Sequence, residues 1–202
     1  MKLFKSNEPN TFHYVTPLMT FNRVPVFRSE EACEFFVNVL SEVREKYPYR
    51  LISYVLMPDH VHAIVNNRSG TISDWLRRVR GNSARKILAW LREEQHLVSL
   101  KKLALAQPQK RQHTHAVWQK DPSVIDLWSH KFIRQKLNYL HLNPVRAGLC
   151  EHPADWKWSS YRAYLPHKAG EVPIEIDWQA YWKEDELEIE EVEEVKRQTG
   201  GR

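Results

Sequence analysis

Apolar and polar positions along this chain alternate between the period of a strand and the period of a helix. Strand patterns lie at residues 12 to 21, 49 to 57 and 60 to 65, and helix patterns lie at 29 to 47, 71 to 95 and 129 to 143. Pro58 and Asp59 form a turn signal between the second and third strands, which predicts a hairpin. Pro17 predicts an edge position or an irregularity in the first strand. Pro144 ends the last helix, because the residue before a proline is pushed out of the α region.

The remaining segments carry weaker patterns. Residues 96 to 114 are polar and rich in Gln, which predicts a loop or an insertion. Residues 116 to 119 are too short to assign from their pattern, but they could form an edge strand. The helix at 71 to 95 has an apolar stripe that Gly81 weakens in its middle.

Composition limits the class of protein. The 202 residues suffice for one domain with a sizeable core, and 42% hydrophobic and 27% charged residues are ordinary for a globular protein. No apolar run approaches the roughly 18 residues that a membrane helix needs, and the first residues lack the apolar core of a signal peptide. We therefore expect a cytoplasmic protein without a membrane partner. The two cysteines are far apart in sequence, which argues against a disulfide framework or a thiolate zinc site.

Charge is distributed unevenly. The formal net charge is +5, but residues 184 to 195 hold eight of the 25 acidic residues, so residues 1 to 182 carry 26 basic and 17 acidic side chains. We therefore predict a single basic domain at 1 to 182 and an acidic tail at 183 to 202. A basic body suggests a polyanionic partner, most readily nucleic acid, although a merely basic surface has the same composition.

The third strand carries two histidines, His60 and His62. Side chains alternate along a strand, so both imidazoles and Ile64 point to one face. Two neutral imidazoles about 7 Å apart along a strand can converge on one divalent ion. A pair of partly buried, hydrogen-bonded histidines is the alternative. The same spacing recurs at His113 and His115, but these follow a polar segment instead of a buried strand and are weaker candidates.

The helix at 71 to 95 carries basic side chains opposite its apolar stripe, a band that suits DNA phosphates. The band consists of Arg77, Arg78, Arg80, Arg85, Lys86 and Arg92. A solvated basic face is the alternative. Binding of single strands often adds aromatic platforms to such a band, and Trp118 is one candidate.

The helix at 129 to 143 supplies a possible nucleophile. Tyr139 and Asn143 are four residues apart and therefore neighbours on one face, with Lys136 one turn earlier. If this face packs over the histidine strand, Asn143 could offer an oxygen ligand while the phenol of Tyr139 lies near the ion. A tyrosine can attack a phosphodiester that is held in line while a metal withdraws charge from the phosphate. The alternative for Tyr139 is a half-buried packing role.

Three motifs occur in order: "MPDHVHAIV", then "QKLNYLHLNPVRAGL" about 75 residues later, and then "DWKWSSYRAY". Together with "VWQ" at 117 to 119, they resemble the single-tyrosine transposases of the HUH superfamily, of the REP-associated tyrosine transposase type. The resemblance implies an α+β fold, an antiparallel sheet with helices packed on its faces and a ferredoxin-like or RRM-like core. It also implies a metal-dependent endonuclease and strand transferase that leaves a 5′-phosphotyrosine on single-stranded DNA near a hairpin.

The resemblance assigns roles to individual residues. Tyr139 would be the nucleophile, and His60, His62 and Asn143 would hold Mg²⁺ or Mn²⁺. Lys136 and Arg146 are expected to contact phosphates near the scissile bond. A domesticated DNA-binding module without turnover, and a metal hydrolase that acts through bound water, remain alternatives. We expect a nucleoid-associated monomer, with a homodimer as the alternative.

Overall fold

The computed structural model describes residues 10–68, 70–109, 113–120, 122–165 and 172–177. Its strands are β1 (Phe12–Met19), β2 (Tyr49–Met57), β3 (His60–Asn67), β4 (Ala104–Gln109), β5 (His113–His115) and β6 (Ser123–Leu127). Its helices are α1 (Glu30–Lys46), α2 (Ile72–Glu93), α3 (Leu97–Leu103), α4 (His130–His141) and α5 (Asn143–Arg146). The predicted acidic tail lies outside the described residues.

The main sheet is antiparallel and has the strand order β2-β3-β1-β6. The hairpin of β2 and β3 forms at the predicted turn. In β1 the pairing shifts between Val15 and Leu18, where Pro17 lies, and the ladder to β6 ends at Thr16. Pro17 therefore sits at an irregularity in a central strand, because a proline cannot donate a ladder hydrogen bond.

The two faces of this sheet carry different side chains. Residues directly opposite each other in an antiparallel pair share a face. Tyr14 pairs with Ile64, and Val55 pairs with His62, so these side chains lie with His60 on one side, which we call the histidine face. Val61, Ala63 and Val65 lie on the other side, which we call the helix-pair face.

The helices divide between these faces. His141 of α4 hydrogen-bonds Ser53, which lies opposite Ile64, so α4 covers the histidine face. The Tyr49 hydroxyl donates to the carbonyl of Leu40 in α1, and its ring packs edge-on against Trp75 in α2. Helices α1 and α2 therefore cover the opposite side of the sheet, and the whole is the predicted α+β arrangement of an antiparallel sheet with helices on its faces.

Local sequence sets the helix boundaries. Ser29, Thr71 and Ser129 each cap a helix, because their side chains accept a hydrogen bond from a backbone N–H in the first turn. Helix α2 runs without interruption through Gly81. Pro144 lies in the first turn of α5, a position where its missing N–H costs no hydrogen bond.

Residues 96 to 114 were predicted to be a loop or an insertion. The described part of this segment contains α3 and the strands β4 and β5, which pair with each other, so it is not a loop, while an insertion stays a prediction. Residues 116 to 119 do not form a strand but a single bridge between Trp118 and Thr20. Strand β6 has no counterpart among the predicted elements. Within the described residues, no helix is long and apolar enough to cross a membrane.

Candidate active site

His60 and His62 come together on the histidine face. Their ring centroids lie 5.0 Å apart and their planes are nearly perpendicular, at 89°. Nδ1 of His60 lies 2.7 Å from a carboxylate oxygen of Asp59, and Nδ1 of His62 lies 3.0 Å from the hydroxyl of Tyr14. When both Nδ1 atoms carry the proton and donate to these oxygens, both Nε2 atoms keep a lone pair. Histidines that bind metals are held by outer hydrogen bonds of this kind.

Burial keeps His62 neutral. Its side chain is 3% exposed, and burial, with a smaller contribution from the charge of His60, lowers its pKa to about 3. A neutral imidazole is the form that binds a metal. Burial by itself would raise the pKa of Asp59, but hydrogen bonds with His60 and Arg23 outweigh it, and the pKa lies below its ordinary value. Asp59 is therefore an anionic partner for His60 at neutral pH.

Tyr139 projects from α4 beside this pair. Its ring stands edge-on to that of His62, with centroids 5.9 Å apart and planes at 88°. The side chain is 43% exposed, so a substrate can reach it from solvent. The predicted packing of this helical face over the histidine strand is thus present in the structure.

Two cations flank Tyr139. The guanidinium carbon of Arg146 lies 5.3 Å from the centre of its ring, and the ammonium of Lys136 lies 6.0 Å from it. Lys136 also lies over the rings of Tyr14 and Phe132, at 5.5 and 5.3 Å. The sequence placed both cations near the tyrosine, and the structure brings them there.

Asn143 lies one turn beyond Tyr139. Its amide nitrogen donates to the Tyr139 carbonyl at 3.3 Å, and no hydrogen bond joins Asn143 to either histidine in the described chain. The described residues also contain no cluster of three His, Cys, Asp or Glu side chains that could hold a metal. The structure therefore brings two imidazoles together and places the side-chain amide of Asn143 beside the Tyr139 carbonyl.

The basic residues of α2 lie apart from this site, because α2 packs on the helix-pair face of the sheet. Arg77 and Arg85 are exposed. Arg92 is exposed as well, and Arg77 pairs with Asp74 one turn earlier. The other three members of the band are partly buried: Arg78 stacks on Tyr47, Arg80 donates to the carbonyl of Gln119, and Lys86 pairs with Glu42.

Trp118 does not fit its predicted role as an exposed platform for a base. Its side chain is buried between Phe27 and Phe36, and its indole N–H donates to Ser83 at 3.0 Å. An apolar ring that closes the core against α2 has no free face on which a base could stack.

The second histidine pair lies in the β4–β5 hairpin, away from the sheet that carries the site. The side chain of His113 lies outside the described residues. Nδ1 of His115 is 2.8 Å from the hydroxyl of the neighbouring Thr114.

Three features of the site were not predicted from the sequence. The sequence pattern predicts only a turn at Asp59 and only a strand at Tyr14. The third feature is a buried cluster that joins α4 to the sheet: Nε2 of His141 lies 3.0 Å from the Ser53 hydroxyl and 2.8 Å from that of Ser160. The position of Asp59 directly before the histidine motif was a usable signal, whereas Tyr14 and the cluster depend on strand register.

Comparisons with known proteins bear on the family and the fold of the chain. The model of the family described as "Transposase IS200 like" matches residues 10–133, a range that includes both histidines and ends before Tyr139. The fold is similar to that of a REP-associated tyrosine transposase bound to a REP hairpin, with a TM-score of 0.59 and 16% identity over 95% of this chain and 96% of that chain. A putative transposase from Deinococcus radiodurans gives a TM-score of 0.42 and 19% identity over 67% of this chain and 93% of that one. No curated protein matches.

Proposed function

This chain belongs to the family of IS200-like transposases, and we propose that it cuts and rejoins single-stranded DNA near hairpins with Tyr139 as the nucleophile. The observation that carries the proposal is the exposed phenol of Tyr139, which stands edge-on to the buried, neutral imidazole of His62. A phenol that a substrate can reach thus lies beside an imidazole that is held in place by Tyr14, which supports the roles proposed for the two residues.

The side chains present fit a divalent ion such as Mg²⁺ or Mn²⁺. Nδ1 of His60 and of His62 is occupied by Asp59 and Tyr14, which directs each Nε2 away from its hydrogen-bond partner. The amide oxygen of Asn143 would be the third protein ligand, with a substrate oxygen and water completing the shell. A bound ion would withdraw charge from the scissile phosphate.

In the proposed reaction, the phenolic oxygen of Tyr139 loses its proton to solvent and attacks the phosphorus. A bond forms between this oxygen and the phosphorus, and the bond to the 3′-oxygen of the preceding nucleotide breaks. That oxygen takes up a proton and leaves as a 3′-hydroxyl, while the downstream strand stays on the protein as a 5′-phosphotyrosine. Attack by a 3′-hydroxyl on this linkage reverses the chemistry and rejoins DNA.

Lys136 and Arg146 have a separate role in this scheme. Negative charge grows on the phosphate oxygens during the attack, and positive side chains already in place stabilise it without reorganisation. Both cations lie within 6.0 Å of the Tyr139 ring and can therefore reach a phosphate that the phenol attacks.

A hairpin in the substrate is supported less directly. The solved transposase of similar fold is bound to a REP hairpin, and the first 182 residues of this chain carry an excess of basic residues. We propose that a structured single strand of the same kind is the substrate here.

The test is to trap the covalent intermediate. The protein is mixed with hairpin-bearing single strands that carry a 3′ label and with Mn²⁺, and a labelled adduct that survives denaturation is expected. Tyr139→Phe removes one oxygen and little volume, so the adduct should disappear while DNA binding persists. Tyr47→Phe is a matched control, because Tyr47 is also 43% exposed but lies at the end of α1, on the other side of the sheet.

Two outcomes would contradict the proposal. Cleavage that continues in the Tyr139→Phe protein would indicate a hydrolase that acts through water. Tight binding with no cleavage and no adduct in the unmodified protein would indicate a binding module that has lost its turnover.

A further inference from the structure

An exposed aromatic pair lies at the start of the helix that carries the nucleophile. Trp128 follows β6 directly and is 80% exposed, the highest value among the large hydrophobic side chains of the described chain. Its ring packs against Phe132 in the first turn of α4, with centroids 5.6 Å apart and planes at 50°. A single exposed tryptophan needs no explanation, but this one is continuous with the candidate active site.

Cations and rings connect the pair to Tyr139. The Lys136 ammonium lies 5.3 Å from the Phe132 ring and 6.0 Å from the Tyr139 ring, and Arg146 lies beyond Tyr139. Phe132, Lys136 and Tyr139 recur every three or four residues, so they form one stripe along α4, and Arg146 of α5 lies beyond its end. The seven residues from Phe132 to Tyr139 span about 10 Å of helix, which is about three stacked nucleotides.

We propose that Trp128 and Phe132 are a stacking platform for bases of the single strand whose backbone passes Lys136 on its way to Tyr139. This inference rests on the proposed function only in one respect, the statement that the DNA strand runs toward Tyr139. The stacking of bases on the two rings does not depend on it. Nucleic-acid bases have flat apolar faces and a charged backbone, and the stripe offers aromatic faces beside ammonium and guanidinium groups. The indole of Trp128 takes the place that sequence reasoning had given to the buried Trp118.

The cap that starts α4 also holds the platform in place. The side chain of Ser129 caps the helix by accepting from the N–H of Phe132 at 3.2 Å. The same bond fixes the first turn, and hence the position of Phe132 relative to Trp128. The platform is therefore held by the helix that holds the nucleophile, so a base stacked there keeps a fixed offset from Tyr139.

The first experiment measures binding of fluorescein-labelled oligothymidylate, which has no hairpin and no special sequence. All proteins are full length and carry Tyr139→Phe, so that the DNA stays intact. Trp128→Ala should weaken binding by roughly 5- to 150-fold, the range for loss of stacking on one aromatic side chain. Trp128→Phe keeps an aromatic face and should bind within about threefold of the parent. Leu97→Ala is the matched control, because Leu97 is 69% exposed in α3, and it should leave affinity unchanged.

A second measurement separates stacking from any effect on folding or charge. An oligomer with the same backbone but abasic sugars should bind the parent and the Trp128→Ala protein equally. Oligothymidylate should also quench the tryptophan fluorescence of the parent more than that of the Trp128→Phe protein. If Trp128→Ala lowers affinity for the abasic oligomer by the same factor as for oligothymidylate, Trp128 does not stack on bases and the proposal is wrong.

Two further outcomes would overturn it. One is an oligothymidylate affinity that Trp128→Ala leaves unchanged. The other is a lower sedimentation coefficient of the Trp128→Ala protein together with an unchanged DNA affinity. This result would show that Trp128 and Phe132 form a contact with a second copy of this chain. The adduct assay is independent of these readouts: with Tyr139 intact, Trp128→Ala should still form the adduct at saturating DNA. If every variant forms the adduct and Trp128→Ala does not change DNA affinity, only the stacking platform is rejected. If Trp128→Ala weakens DNA binding but no protein forms the adduct, only the role of Tyr139 as nucleophile is rejected.

Discussion

The hydroxyl of Tyr14 lies 3.0 Å from Nδ1 of His62, and the two rings stack almost in parallel, with centroids 5.7 Å apart and planes at 9°. This contact joins β1 to β3 across the centre of the sheet. It restricts both the rotation of the imidazole and the position of its proton, so in the proposed mechanism Tyr14 would hold His62 in the orientation and tautomer that a metal ion needs.

Tyr14→Phe should therefore weaken metal binding. The substitution keeps the stacked ring and removes the partner of Nδ1, and loss of such an outer hydrogen bond typically costs about 10- to 100-fold in metal affinity. Isothermal titration with Mn²⁺ measures the effect directly, without DNA. Tyr49→Phe is the control, because it removes a buried hydroxyl on the helix-pair face of the sheet. Equal Mn²⁺ affinities in the Tyr14→Phe protein and the parent would contradict the role of Tyr14.

Lys136→Met and Arg146→Met should each slow formation of the adduct. Each removes a positive charge near the attacked phosphate and keeps an unbranched apolar side chain, and the loss of one such group from a transition state costs on the order of 100-fold. Single-turnover rates at saturating DNA and Mn²⁺ measure this. Lys131→Met removes an exposed charge from the same helix and should leave the rate unchanged. A rate that falls only through weaker DNA binding would mean that the two cations bind the backbone at some distance from the scissile phosphate.

Arg77→Ala combined with Arg85→Ala should flatten the salt dependence of DNA binding. Each lost phosphate contact reduces the slope of log affinity against log salt by about 0.7 for single strands. Anisotropy titrations of a hairpin oligonucleotide at several salt concentrations test this, with single-turnover cleavage expected to be unchanged because α2 covers the opposite side of the sheet. An unchanged slope would exclude this surface of α2 from the DNA path.

The stability of the protein should fall in mild acid because of His141. Burial lowers its pKa to about 3, so the unfolded chain takes up this proton near pH 6.5 while the folded chain does not. Protonation therefore favours unfolding as the pH falls below about 6.5, by about 1.4 kcal/mol per pH unit for this one group until the folded pKa is approached.

Urea unfolding at several pH values between about pH 7 and pH 5 measures how the free energy of unfolding depends on pH. This range includes the ordinary histidine pKa of about 6.5. His141→Gln can still hydrogen-bond Ser53 and Ser160 but cannot titrate, so its free energy of unfolding should depend less on pH. The same dependence on pH in both proteins would assign the effect to other histidines.

Local patterns predicted much of the fold and which side chains share a face, while the resemblance to a transposase family assigned these side chains to a site. Strict alternation located His60 and His62 on one face, and the turn at Pro58 set the hairpin of β2 and β3, because both signals lie within a few residues. The spacing of Tyr139, Lys136 and Asn143 followed from helical geometry in the same way. Nothing beyond neighbouring residues was needed for these inferences.

Features that depend on distant pairing were missed. Strand β6 has only five residues, and its place at the sheet edge is set by pairing with β1 more than a hundred residues earlier. Tyr14 reaches His62 only because the register of β1 on β3 sets Tyr14 opposite Ile64. Trp118 and Trp128 are ten residues apart, and no local sequence pattern distinguishes them. Only the folded structure shows that the ring of Trp118 is buried and that of Trp128 is exposed.

The anchoring of α4 by His141, Ser53 and Ser160 has a kinetic consequence. These buried hydrogen bonds tie the helix that carries Tyr139 to the strand beside His62 within one polypeptide. If the Tyr139 oxygen is the attacking group, as proposed, it and the histidines need no encounter between subunits to meet. Once DNA is saturating, we expect strand cutting to follow first-order kinetics, with a rate constant that is the same in a dilute sample as in a concentrated one.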